Sequence, residues 1–228
     1  MIVIKNDTAK KAIRIAVPVV IAVTALLCGL FLHDGRQYSI VTALVALLSL
    51  LLFFAGFDRR STGSRRLVLG AVFIALAVIG RFIPVIKPMA AITVIAGMYL
   101  SGETGFLVGS LSALISNIWF GQGPWTPLQM TALGLIGLFA GVFSEKLKKS
   151  RVFLVIFAVL SGIFYSAFMD IWSSSFAYGS LGLSEYLASL LSSFWFTVSY
   201  IISNVLYLLI LVPAFGKKFE RIRVKYGI

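Results

Sequence analysis

The sequence predicts an all-α integral membrane protein. Of its 228 residues, 60% are hydrophobic and only 12% are charged, and the mean hydropathy is +1.01. A soluble domain averages about half apolar and about a quarter charged residues. Two further observations support the prediction. The apolar residues fall into eight runs separated by short polar connections, and the cations are confined to certain of these connections.

Most of the apolar runs approach the ~20 residues that a helix needs to cross a bilayer. The runs cover residues 13–32, 39–57, 67–86, 89–100, 105–119, 125–143, 152–172 and 190–213. The runs at 89–100 and 105–119 are short, which is compatible with two short crossings or with a re-entrant hairpin. The first run contains the single cysteine, Cys28, which we expect to be buried and unpaired. This run is interpreted as a retained helix rather than a cleaved signal peptide.

Seventeen of the twenty Lys and Arg residues lie in alternate connections and at the two ends of the chain. The other three are Arg36, Arg81 and Lys87. Cytoplasmic loops of membrane proteins carry an excess of Lys and Arg. The distribution therefore predicts eight spans with both termini in the cytoplasm. It also assigns the net charge of +12 to contact with anionic lipid or an acidic protein surface in the cytoplasm rather than with nucleic acid.

The basic loop at 58–66, with the sequence DRRSTGSRR, is the best internal boundary because Ser, Thr and Gly separate two Arg pairs. The sequence thus predicts a two-helix membrane hairpin and its Arg-rich loop at residues 1–64. Six membrane segments that hold nearly every unusual residue are expected at 65–215, followed by a basic cytoplasmic tail at 216–228.

Residues 120–130, FGQGPWTPLQM, interrupt the apolar pattern with two Gly, two Pro and two Gln. Irregular backbone at a membrane boundary is tolerated where it lines a cavity or packs against protein. Pro124 suits a helix start, which would place Trp125 and Gln129 along one face. Gly121 and Gly123 would let the preceding loop fold closely over that face. The stretch is therefore predicted to form one wall of a binding site.

All four Trp residues fall on the predicted outer side of the membrane. An interfacial aromatic belt is one explanation, but such belts form at both interfaces, so an outward-facing aromatic pocket is favoured. The predicted pocket residues are Arg81, Lys87, Asn117, Trp119, Gln122, Trp125, Gln129, Asp170, Trp172, Tyr178 and Trp195. Arg81 and Asp170 are expected to pair, either structurally or around a ligand. Asn204 lies deeper and is expected to form an interhelical hydrogen bond.

Three small-residue stripes follow the spacing of a helix face. They are Ala71 with Ala75, Gly105 with Gly109 and Ala113, and Gly137 with Gly141. Taken alone, each stripe favours internal helix packing over an external docking face. The sequence has no Walker A loop, HExxH motif or Cys/His cluster, so no ATPase or metal site is predicted. The single histidine, His33, is interpreted as a solvated loop residue.

The GQGPWTPLQM stretch after an apolar run, together with Ala71 and Ala75, resembles the substrate-binding S components of energy-coupling factor (ECF) vitamin transporters. The resemblance covers about residues 65–215. It implies a multi-pass protein of a prokaryotic plasma membrane that captures a micronutrient outside the cell. It also implies docking, through Ala71 and Ala75, on a membrane coupling (T) subunit that carries two cytoplasmic ATPases. The chain itself would be neither an enzyme nor dependent on a cofactor.

The resemblance is greatest to S components for cobalamin-type corrinoids, which implies a corrinoid substrate. Flavins, other heterocyclic vitamins and queuosine-type precursors are alternatives. A rival interpretation is an intramembrane enzyme on lipid-linked substrates, but Asp170 alone does not supply the constellation that such chemistry needs. A stand-alone transporter or channel would need charged residues along a path, and the middles of the apolar runs contain almost none.

Overall fold

The computed structural model describes residues 7–31, 35–56, 63–179 and 181–226. Within these ranges the chain forms ten helices and no strand, which confirms the all-α prediction. The helices are α1 (Asp7–Phe31), α2 (Gly35–Ala55), α3 (Gly63–Gly80), α4 (Met89–Tyr99), α5 (Gly102–Phe120), α6 (Thr126–Val142), α7 (Ser144–Lys149), α8 (Arg151–Tyr178), α9 (Leu183–Ser192) and α10 (Phe194–Tyr226). Parts of α1, α2, α8 and α10 are long and apolar enough to cross a membrane, and α4 and α6 are shorter apolar helices.

The basic connections meet at one end of the helical bundle, which we call the inner end. Arg14 Nε of α1 lies 2.8 Å from a carboxylate oxygen of Glu103 at the start of α5. Lys148 Nζ of α7 lies 5.4 Å from the ring centre of Tyr99, the last residue of α4. The connections 81–88 and 121–125 lie at the opposite end, which we call the outer end. This arrangement is the one that the positive-inside pattern predicts.

The short α4 and its neighbour α5 connect the two ends of the bundle. Tyr99 stacks on Phe219 near the inner end of α10, with ring centres 5.2 Å apart. The 19 residues of α5 then return to the outer end over about 28 Å, at ~1.5 Å per residue. Residues 89–119 therefore cross the bundle twice. The 11-residue α4 is too short for a bilayer of ~30 Å, but it is buried from Met89 to Met98, so protein rather than lipid surrounds it.

Helices α5 and α6 pack backbone against backbone. A methyl group added to Gly105 would lie 2.5 Å from the carbonyl oxygen of Gly137, and one added to Gly109 would lie 2.4 Å from that of Leu133. These two glycine stripes are therefore internal packing surfaces, as predicted. Ala71 and Ala75 differ from them because both are exposed on the outside of α3.

Two of the predicted spans differ from the observed helices. The run at 67–86 was expected to be helical, but α3 ends at Gly80, which packs against Pro88 so closely that a methyl group would lie 2.5 Å from Pro88 Cγ. The last span is preceded by α9, which was not predicted, and α10 continues beyond residue 213 to Tyr226. The proposed boundary at 215/216 falls within α10, and the division into three parts remains a prediction.

The N-terminal hairpin, formed by α1 and α2, packs on α5, α6 and α8. A methyl group on Gly29 would lie 2.5 Å from Leu128 of α6, and Ser175 of α8 donates a 3.1 Å hydrogen bond to the carbonyl of Leu30. Cys28 is fully buried, as predicted. His33, the side chain of Arg36 and residues 57–62 of the Arg-rich connection lie outside the described parts of the chain.

Candidate functional site

The connection between α3 and α4, residues 81–88, has no helix and lies along α10. Ser199 donates a hydrogen bond to the carbonyl of Val85 (3.3 Å) and Ser203 donates one to that of Lys87 (2.7 Å). Tyr207 donates a third, of 3.4 Å, to the carbonyl of Ile86. Non-helical backbone at membrane depth needs partners of this kind. We call Ser199, Ser203 and Tyr207, which recur every four residues, the hydroxyl stripe of α10.

Val85 has an uncommon backbone conformation in this segment. Its φ is +64°, the only positive φ at a residue other than glycine in the described part of the chain. The left-handed region is unfavourable for a β-branched residue. Its side chain is 77% exposed. Residues held in sparsely populated conformations cluster at ligand sites and switch regions.

A cavity of about 390 Å³ opens beneath this segment, between it and helices α6, α8 and α10. Its lining combines two cations, several hydroxyls, one amide and aromatic rings. The lining residues are Arg81, Val85, Lys87, Met89, Gln129, Tyr165, Phe196, Ser199, Tyr200 and Ser203. Of the predicted pocket residues, the structure therefore brings Arg81, Lys87 and Gln129 together.

Hydrogen bonds hold two of these residues in place. Arg81 Nη1 donates to Ser116 Oγ and to Asn117 Oδ1, both at 2.6 Å. Asn117 Nδ2 donates to Gln129 Oε1 at 2.9 Å, and Gln129 Nε2 donates to the hydroxyl of Tyr165 at 2.9 Å. Asn117 is fully buried. Asn117 is one of the predicted site residues. It does not line the cavity itself, but it positions Arg81 and Gln129, which do.

Aromatic rings form the opposite wall. Tyr165 of α8 stacks on Tyr200 of α10 with ring centres 4.4 Å apart and planes inclined by 11°. Phe196 continues the row, 5.8 Å from Tyr200 and inclined by 23°. Such a row presents flat apolar area together with hydroxyl groups.

The two cations of the cavity share the ring of Phe120. The guanidinium of Arg81 lies 4.7 Å from the ring centre and Lys87 Nζ lies 5.7 Å from it. Neither side chain forms an ion pair with a carboxylate in the described ranges. The pKa of Lys87 is lowered from its usual value, first by burial and then by the neighbouring charge of Arg81. The cavity is therefore a region of uncompensated positive charge.

The expectation of a structural ion pair between Arg81 and Asp170 is wrong. Asp170 instead accepts a 2.6 Å hydrogen bond from Ser193, at the junction of α9 and α10. Arg81 is already held by Ser116 and Asn117 of α5. No group of three or more His, Cys, Asp or Glu side chains able to hold a metal occurs in the part of the chain that the structure describes.

The loop 121–125 differs from the prediction in two respects, because α6 begins two residues after Pro124 and Trp125 does not line the cavity. Helix α6 begins at Thr126 with a proline in its first turn, and Gln129 faces the cavity. The ring of Trp125 lies over Gly123, where a methyl group would be 2.2 Å from the ring, and it packs edge-on against Trp172 at 5.3 Å. Gln122 donates to the carbonyl of Leu114 and so anchors the loop.

Three other predicted pocket residues lie on the outside of the bundle. Trp119 is 62% exposed, Tyr178 is 53% exposed and Trp195 is 77% exposed. These positions are typical of an interfacial aromatic belt. Asn204 approaches the carbonyl of Ala158 in α8 at 3.5 Å, the interhelical contact that was expected.

Sequence reasoning missed most of the contribution of α10 to the cavity. The last apolar run contains four cavity residues that are not among the predicted site residues. They are Phe196, Ser199, Tyr200 and Ser203. The available signal was the spacing of four between Ser199, Ser203 and Tyr207, which places three hydroxyls on one helix face.

A family model described as the substrate-specific component of ECF transporters matches residues 65–227. The chain belongs to this family. The matched residues include every side chain of the cavity, whereas the N-terminal hairpin lies outside the match. An S component is a substrate-binding subunit and not an enzyme, which answers the rival interpretation as an intramembrane enzyme. No curated protein and no solved structure matches the chain.

Proposed function

We propose that this S component captures a micronutrient in the outer-end cavity and delivers it by reorienting on a coupling module. The observation that carries the proposal is the cavity itself. It lies at the end of the bundle opposite the basic connections, and three of its polar residues were predicted from the sequence. Its walls combine flat aromatic area with a few fixed polar groups, the usual composition of a small-molecule site.

The volume of the cavity favours a small heterocyclic vitamin as the substrate. At about 390 Å³ it is near the lower end of the ~300–1,000 Å³ typical of ligand pockets. A corrinoid is the second candidate, favoured by the GQGPWTPLQM resemblance. Because a corrinoid is a large macrocycle, it would require the 81–88 segment to leave the hydroxyl stripe of α10. The visible spectrum of the detergent-purified chain tests both, since a bound corrinoid is red or pink and a bound flavin is yellow.

The exposed face of α3 is the proposed docking surface for the membrane coupling subunit, which would carry two cytoplasmic ATPases. Ala71 and Ala75 lie one turn apart and are both exposed. Small residues at this spacing let a second helix approach closely. The other two small-residue stripes are already occupied by the packing of α5 on α6.

The docking proposal is tested by Ala71→Trp and Ala75→Trp in liposomes that contain the complete transporter. We expect either change to abolish ATP-driven uptake while the isolated S component binds its ligand with unchanged affinity, because Ala71 and Ala75 are exposed and neither lines the cavity. Ala16→Trp is a matched control, since Ala16 is an exposed alanine on α1. Uptake that survives both α3 variants, or that Ala16→Trp abolishes equally, would contradict this docking surface.

A further inference from the structure

The donors and acceptors of the cavity are strongly unbalanced. Arg81 uses only Nη1 for its two hydrogen bonds within the protein, which leaves its other N–H groups for a ligand. Lys87 Nζ has no hydrogen bond within the described ranges and contacts only the face of Phe120. The hydroxyl of Tyr200 also has no partner there. A ligand in this cavity therefore meets mostly donors.

No carboxylate in the described ranges compensates this charge. Two acidic side chains of the outer half are described, and both are engaged elsewhere. Asp170 accepts from Ser193, and Glu185 of α9 accepts from Ser184. Neither lines the cavity. The two cations are thus close together in a partly buried site, a costly arrangement that an anion relieves.

The shape of the cavity restricts the rest of the ligand. Tyr165, Tyr200 and Phe196 stack on one another, so the row offers a ligand its ring edges and the face of Phe196 that is not stacked on Tyr200. Arg81 and Lys87 line the same cavity from the 81–88 segment. A flat ring packed against this row can direct a substituent toward the cations. Charge-assisted hydrogen bonds to a carboxylate or phosphate would then use the free donors.

We infer that the substrate is a small planar molecule that carries a carboxylate or phosphate, with the anionic group bound between Arg81 and Lys87. This inference rests on the proposed function of the cavity and names the class of its ligand. A neutral or cationic ligand of the same size would leave the charges of both cations without an anionic partner.

The test compares matched ligands that differ in the anionic group. The purified full-length chain is titrated by calorimetry with nicotinate and nicotinamide, pyridoxine phosphate and pyridoxine, and flavin mononucleotide and riboflavin. We expect at least one anionic member to bind 10-fold or more tightly than its neutral partner. A neutral member that binds as tightly as its anionic partner, or failure of every anionic member to bind, overturns the inference.

Substitutions of Lys87 and Arg81 test where the anionic group of the ligand binds. Lys87→Gln removes one charge without breaking a hydrogen bond within the described protein, and we expect it to weaken the anionic ligand about 10- to 100-fold, as for a lost charge-assisted hydrogen bond. The neutral partner should be affected less than about threefold. Arg81→Gln should have the larger effect, but it also disturbs Asn117. Lys149→Gln, an equal charge change at the inner end, is the control and should leave both affinities unchanged. Equal losses for both ligands in Lys87→Gln would contradict the assigned position.

The outcome separates this inference from the proposed function. Tight binding of a neutral vitamin, together with ATP-driven uptake of that vitamin by the complete transporter, would support the proposed function and contradict the inference that the substrate is anionic. Absence of uptake for every vitamin that the cavity binds would reject the proposed function while leaving the ligand class intact.

Discussion

At the inner end, α5 and α6 meet through bare backbone, whereas at the outer end the 81–88 segment has no helix and depends on side-chain hydroxyls. A methyl group on Gly137 would lie 2.3 Å from the carbonyl oxygen of Gly105, so the inner contact has no spare volume. The outer contact consists of separate hydrogen bonds from Ser199, Ser203 and Tyr207. Close packing tolerates little displacement, but separate bonds are lost one at a time. We therefore expect substitutions at the inner end to affect the whole fold and those at the outer end to affect only the cavity.

The largest effect is expected for Gly105→Ala. The added methyl would meet the Gly137 carbonyl at 2.5 Å, so the helices must separate, and overpacking of this kind costs about 1–3 kcal/mol. The melting temperature in detergent measures the loss. Gly70→Ala is the matched control because its methyl would lie 3.7 Å from the nearest atom, and it gains helix propensity. Equal melting temperatures for the two variants would show that the glycine contact is not a rigid element.

A smaller and local effect is expected for Ser203→Ala. Loss of its 2.7 Å hydrogen bond leaves the Lys87 carbonyl without that donor, at a cost of about 0.5–1.5 kcal/mol to the local structure. Hydrogen exchange at residues 85–88 should accelerate and ligand affinity should fall, while the melting temperature changes little. Ser173→Ala, which removes a bond to a carbonyl of its own helix, is the control. A drop in melting temperature as large as that of Gly105→Ala would contradict the local character of the outer end.

The smallest effect is expected for Trp195→Ala. Its side chain is 77% exposed and outside the cavity, so ligand affinity should change by no more than about a factor of two, as for surface substitutions within ±0.5 kcal/mol. The adjacent Phe196→Ala should lower affinity by about tenfold, because Phe196 lines the cavity and continues its aromatic row. Calorimetric titration of both variants with the same ligand distinguishes them. A larger loss of ligand affinity for Trp195→Ala than for Phe196→Ala would indicate that Trp195 belongs to the binding site.

Composition and charge were sufficient to predict the long apolar helices, because a bilayer demands long apolar runs whatever their neighbours are. Composition and charge did not predict that residues 81–88 are non-helical, because this stretch is apolar enough to be predicted as a continuation of α3. Only the position of Ser203 and Tyr207 on a distant helix explains why this stretch is held without helical hydrogen bonds.

The site was predicted unevenly for a similar reason. Gln129 and Arg81 stand out because polar groups are costly inside a membrane, and both were found. Tryptophans are equally conspicuous in the sequence. The sequence does not distinguish an exposed ring such as Trp119 from a ring that lines a cavity. Phe196 and Tyr200 differ from their neighbours only in the direction that they face, which depends on how α10 packs on α8.

The ion pair between Arg14 and Glu103 has a consequence for how the protein is truncated. The family match begins at residue 65, which invites preparation of the last six helices alone. Such a fragment would lose Arg14 and with it the ion pair of Glu103, whose side chain is only 13% exposed in the full-length chain. Leu128 would also lose the close contact that it makes with Gly29. The shortest stable version of this protein should therefore keep α1 and α2, even though the cavity uses neither.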